Sequence, residues 1–163
     1  MATIKLSERE QEYVKWSQDE FNTYMREWCE DDRVIPFWTC FTECEMKHFS
    51  KIILDVDDLD EDDYLECISS KNVKKAEADL TKLHKKLIAD NKSDLSKLTD
   101  LVIVYNRKGQ QHDCLDNGIQ DLSGFYLNLI DDVAEFVMQN LESYSDEDID
   151  RFESISCMDV RES

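Results

Sequence analysis

The sequence predicts an all-α domain of about six helices, and three observations carry that expectation. Glycine and proline are scarce: Gly109, Gly118, Gly124 and Pro36 are the only ones in 163 residues. All-β sandwiches and meanders need many tight turns built from those residues, so the scarcity favours long helices with few connections. Apolar residues recur at helical spacing along most of the chain. Finally, 41% hydrophobic and 10% aromatic residues are enough to bury a core despite the charge. The length suits one domain, expected at residues 1–155, with 156–163 as a frayed C-terminal tail.

Ser7-Glu8-Arg9-Glu10 has the form of a capping box and should start a long helix running to about residue 31. Tyr13, Val14, Phe21, Tyr24, Met25, Trp28 and Cys29 form its inward stripe, and Trp16 falls off it. Pro36 restarts the chain into a second, largely buried helix ending near Leu54, through Phe37, Trp38, Phe41, Cys44, Phe49, Ile52 and Ile53. Nine of the sixteen aromatics lie in the first 50 residues, which places the expected centre of the core there.

Residues 55–63 read as a solvated acidic connection into a short helix around 61–69. Val73, Ala76, Leu80, Leu83 and Leu87 mark an amphipathic helix over 72–90. Residues 94–108 are ambiguous. Leu95, Leu98, Val102 and Tyr105 have helical spacing, and Arg107-Lys108-Gly109 resembles a helix stop. The apolar, β-branched run from Leu101 to Tyr105 is equally typical of a strand, so the alternative class is α+β with a small sheet over 100–106. Helix is preferred because no pairing strand is evident. Asp116-Asn117-Gly118 reads as a turn, residues 120–142 as a helix, and Ser145 as the start of a last short helix.

Charge is large and uneven. The formal net charge is −19, made of −12 over residues 1–70, +5 over 71–108 and −12 over 109–163. Such a surface repels phosphates and disfavours direct binding of nucleic acid, and it favours a basic protein partner. No stretch approaches the roughly 18 apolar residues of a membrane span, and the start lacks a signal-peptide pattern. The expected location is cytoplasmic, where the six cysteines would be free thiols.

Candidate sites are few. In the acidic run Asp55, Asp57 and Glu66 fall at positions 1, 3 and 12 of a calcium loop, but Leu59 and Asp60 fail at position 5 and at the glycine position. The run reads better as a solvated loop or a recognition surface, with Asp55, Asp57, Asp58, Asp60, Glu61, Asp62 and Asp63 as partner-binding candidates. Cys40, Cys44 and His48 share one side of a helix and could ligate a metal with Cys29, Cys67, Cys114 or His112. No close Cys-x2-Cys pair supports this, and core packing is the simpler reading. The basic segment 71–108 could present a phosphate-binding face; more simply, its lysines meet the protein's own acidic flanks. Trp16, set among Glu12, Lys15, Asp19 and Glu20, is a candidate binding anchor or a residue packed beneath a neighbouring element.

No phosphate loop, His-Glu-x-x-His or Gly-x-Ser-x-Gly element is present, so neither an enzyme nor a cofactor or metal is expected. The leading expectation is an inhibitor or neutraliser whose acidic, phosphate-mimicking surface occludes a basic nuclease or nucleic-acid-binding protein. Small acidic immunity proteins that neutralise nuclease toxins, and phage anti-defence proteins, share this general make-up. The alternative is a non-catalytic adaptor that binds through an apolar aromatic groove.

Overall fold

In the computed structural model, residues 6–28, 35–55, 60–114 and 120–161 are described. They form seven α-helices, six of them of 11 residues or more, and no strand is present among them. The helices are α1 (Glu8–Trp28), α2 (Ile35–Asp55), α3 (Glu61–Cys67), α4 (Ser70–Asp90), α5 (Leu95–Cys114), α6 (Gln120–Gln139) and α7 (Asp146–Ser156). A 3-10 turn at Leu141–Ser143 joins the last two.

Serine starts three of these helices. At α1 the Glu10 amide donates to Ser7 Oγ (3.2 Å) while Glu10 Oε1 accepts from the Ser7 amide (2.9 Å), which completes the capping box. Ser69 Oγ accepts from the Asn72 amide and Ser145 Oγ from the Asp148 amide, both at 3.2 Å. Asp146, Glu147 and Asp148 then place three carboxylates in the first turn of α7, where the helix dipole favours them.

The ambiguous segment is helical, and the reason is its position. Leu95, Leu98, Leu101, Val102, Val104 and Tyr105 of α5 are all buried, because α5 packs against α6, α7 and α2. A helix enclosed on several sides is apolar nearly all round, which is why Leu101–Tyr105 looks strand-like. The expected stop at Arg107-Lys108-Gly109 is overturned: α5 runs on to Cys114, with Lys108 and Gly109 inside it. Gly109 lies where α6 comes close, since a Cβ there would meet Ser123 O at 3.6 Å.

The core is not centred on the first 50 residues. Phe21, Trp38, Phe41 and Phe49 belong to it, but so do Val73, Ala76 and Leu80 of α4, Leu122, Tyr126, Val133 and Val137 of α6, and Ile149 and Phe152 of α7. The expected fraying from residue 156 is also corrected up to Arg161. Cys157 takes a left-handed conformation (φ 58°, ψ 33°) and turns the chain back on α7. Val160 is fully buried, its amide donates to Glu153 Oε2 (2.9 Å), and Arg161 pairs with Asp150 and Glu153. The turn expected at 116–118 lies outside the described residues.

Candidate functional site

On α1, Val14, Ser17 and Phe21 face inward, which leaves Glu8, Glu12, Trp16 and Glu20 along the opposite side at four-residue intervals, with Asp19 adjoining. All five are exposed, and Trp16 at 54% is the most exposed large apolar side chain described. Its ring leans on Tyr13 (centroids 5.5 Å apart). Glu8, Glu12, Asp19 and Glu20 make no ion pair among the described residues. Arg9 Nη2 donates to the Leu54 carbonyl (2.9 Å), so the start of α1 is tied to the end of α2, where the acidic connection begins.

Of the sequence candidates in that connection, Asp60, Glu61 and Asp62 are exposed at the start of α3. Asp57 and Asp58 lie outside the described residues, as do the side chains of Asp55 and Asp63.

Lys71, Lys74, Lys75, Lys82 and Lys85 of α4 make no ion pair among the described residues, and Lys86 pairs with Asp90 of its own helix (3.9 Å). Lys108, also of the basic segment 71–108, is buried against Glu45 (2.9 Å).

That pair belongs to a buried polar cluster that was not singled out in the sequence. Glu45 Oε2 accepts from His112 Nε2 (2.7 Å) and from the Tyr126 hydroxyl (2.5 Å), while Lys108 Nζ also donates to Thr42 Oγ1 (2.8 Å) and sits 4.1 Å from the centre of the Trp38 ring. Phe21 stacks on Trp38 at 4.3 Å, and the indole N–H donates to Ser17 Oγ (3.0 Å). Burial alone would raise the Glu45 pKa, but His112 and Lys108 outweigh it and hold the carboxyl at about 2. Burial lowers the Lys108 pKa, with Glu45 opposing. A clue was present: Leu101, Tyr105, Lys108 and His112 continue one inward face at three- and four-residue steps.

A second cluster joins α4, α5 and α6. Buried His84 bonds through Nδ1 to the Tyr105 hydroxyl (2.7 Å) and through Nε2 to Asp132 Oδ2 (2.6 Å), and only Asp132 is exposed. Both clusters tie helices together through polar groups that, Asp132 apart, are buried, a geometry suited to fixing helix register.

Cys40, Cys44 and His48 do share one side of α2. Burial raises both thiol pKa values, that of Cys44 to about 12, so neither is poised as a thiolate. His48 Nε2 is engaged by Asp79 Oδ2 at 2.8 Å. Of the other proposed ligands, His112 is held by Glu45, while Cys29 and the side chains of Cys67 and Cys114 lie outside the described residues. Among the described residues no group of three or more His, Cys, Asp or Glu is placed to hold a metal ion. No helix among them is long and apolar enough to cross a membrane.

Comparison with protein-family models, with curated proteins and with solved structures gives no match.

Proposed function

We propose that the protein is an inhibitor that binds a basic, nucleic-acid-binding protein, such as a nuclease, through an acidic surface standing in for phosphates. The observation that carries the reading is Trp16, 54% exposed within a row of carboxylates on α1 that have no ion-pair partner among the described residues. Exposed tryptophan suits the anchor of an interface, and surrounding charge steers encounter and sets specificity. The exposed acidic start of α3, with Asp60, Glu61 and Asp62, would add carboxylates to such an interface. A toxin-immunity or phage anti-defence role is the biological form this mechanism takes, in the cytoplasm where such partners act.

The alternative, a non-catalytic adaptor, would also use Trp16 as its contact, but its binding should depend little on ionic strength.

The test is titration of a panel of basic nucleases against the purified protein, with inhibition as the readout. Trp16→Ala should weaken binding by at least about tenfold. Reversing charge at Glu12 and Glu20, or at Asp60 and Asp62, should slow association, and salt should do the same, since the Debye length is about 8 Å at physiological ionic strength. Binding indifferent both to salt and to these reversals would sink the mechanism.

A further inference from the structure

A cleft of about 500 Å³ lies between α2, the end of α3 and the start of α4, and four lysines line it. Lys47 and Lys51 line it from α2, and Lys71 and Lys75 from α4. Lys71 and Lys75 are spaced i, i+4 on α4 and project from one face a single turn apart, whereas Lys47 and Lys51 flank a kink in α2 at Phe49 (φ −128°, ψ 20°) and reach the cleft from either side of it. Lys51, Lys71 and Lys75 make no ion pair among the described residues. Lys47 is shared with Asp79 at 3.3 Å, and Glu66 is the carboxylate in the lining. Among the described residues, the four ammonium groups of the lining face Glu66, with Asp79 beside Lys47 and Glu10 beside Ser50.

Four like charges facing one another in a cleft repel, and a chain so rich in Asp and Glu could have neutralised them. Ser50, Ser69 and Asn72 add neutral hydrogen-bonding groups to the same walls, and the dipole of the 21-residue α4 adds positive potential at its start. His48, engaged by Asp79, is the one ring among the described lining residues, so the cleft offers mainly charge and hydrogen bonds. Its volume is that of a small-molecule site.

We propose that this cleft binds a small, multiply phosphorylated anion, recognised through its phosphates. Two lysines on each wall suit a diphosphate, whose two phosphate groups can each meet the ammonium groups of one wall. Lysine ammonium groups act here as point charges on flexible stems, which fits phosphate without demanding the fixed fork geometry of arginine. The site is separate from the Trp16 face and does not depend on the inhibitor reading.

The experiment is a calorimetric titration of the intact protein with inorganic pyrophosphate, repeated with ATP and with a short single-stranded oligonucleotide. Saturable one-to-one binding of pyrophosphate is expected, with ATP no tighter than its phosphates alone explain. Lys51→Gln/Lys75→Gln should weaken pyrophosphate by about tenfold, whereas Lys97→Gln, on α5 outside the cleft, should leave it unchanged. Circular dichroism of each variant confirms that the helices persist; should the double variant unfold, Lys71→Gln alone serves and should weaken binding severalfold. Absence of saturable pyrophosphate binding, indifference to the lysine substitutions, or an oligonucleotide that binds far more tightly than pyrophosphate would each overturn the proposal.

Discussion

Around the Glu45 carboxylate, two basic side chains and a phenol converge from helices that are distant in sequence, and all four groups are buried. Lys108→Met should therefore cost about 3 kcal/mol in urea unfolding, because it strands a buried carboxylate with fewer partners. Adding Glu45→Leu should recover part of that loss, since the charge is removed along with its partner. A double variant as unstable as the sum of its singles would show that the two residues act independently. His84 makes a second residue-scale prediction. Burial holds its imidazole below the usual value of 6.5, against the opposing pull of Asp132. The unfolded chain thus takes up a proton near pH 6.5 that the folded protein accepts only at lower pH. This contribution to stability is complete above about pH 6.5 and falls away as pH drops toward the folded-state value. Glu45 has the same sign in a lower window, complete above about 4.5 and lost toward about 2. Urea midpoints should decline from about pH 7.5 to pH 5.5, and His84→Gln should flatten that decline. A midpoint that rises on acidification through this range would mean that folding favours the charged imidazole.

At the scale of elements, two glycines inside helices separate propensity from packing. Gly124 of α6 is exposed, and a Cβ there meets nothing within 4 Å. Gly124→Ala should stabilise the protein by about 1 kcal/mol through helix propensity alone, measurable as a higher melting temperature. At Gly109 the added Cβ would sit in ordinary contact with Ser123 O and with Tyr126 Cβ at 3.9 Å, so the gain should be similar or smaller. A loss of stability at Gly124 would mean that the outer face of α6 is not free. Elements with a single apolar stripe were legible from the sequence: the capping box and inward face of α1, the seam of α4 and the Ser145 start of α7 all follow from local spacing. What was not legible follows from enclosure. The run Leu101–Tyr105 carries no polar face to reveal its period, and Lys108-Gly109 imitates a helix end although Lys108 is aimed at Glu45, 63 residues away. Similarly, nothing local says that Cys157 adopts a left-handed turn, because that turn is imposed by burial of Val160 and by Arg161 reaching back to α7. Of the candidate site, the exposure of Trp16 was foreshadowed by its place off the apolar stripe. The lysine cleft was visible only as two i, i+4 pairs whose convergence depends on how α2 meets α4.

The whole molecule carries a net charge of −19, and the distribution of its ion pairs decides how salt acts on it. Were the acidic flanks neutralised by the basic middle segment, added salt would weaken those attractions and lower stability. Instead the α4 lysines other than Lys86 make no ion pair among the described residues, while carboxylates crowd α1, the start of α3 and the start of α7. The strongest attraction, Glu45 with Lys108 and His112, is buried and so screened little by ions. Exposed pairs such as Arg161 with Asp150 and Glu153 contribute modestly and lose little. Self-repulsion among surface carboxylates is therefore the term that salt mainly changes, and it opposes the compact state. Raising sodium chloride from about 10 mM to about 500 mM shortens the Debye length from roughly 30 Å to well under 8 Å. The melting temperature at neutral pH should rise with it, by roughly 3–6 °C if screening recovers about 1–2 kcal/mol. The same salt range should slow capture of a basic partner at the α1 face, so stability and association should move in opposite directions. A melting temperature that falls with salt would show that attraction between oppositely charged side chains outweighs repulsion, and it would undercut the bare acidic surface on which partner binding depends.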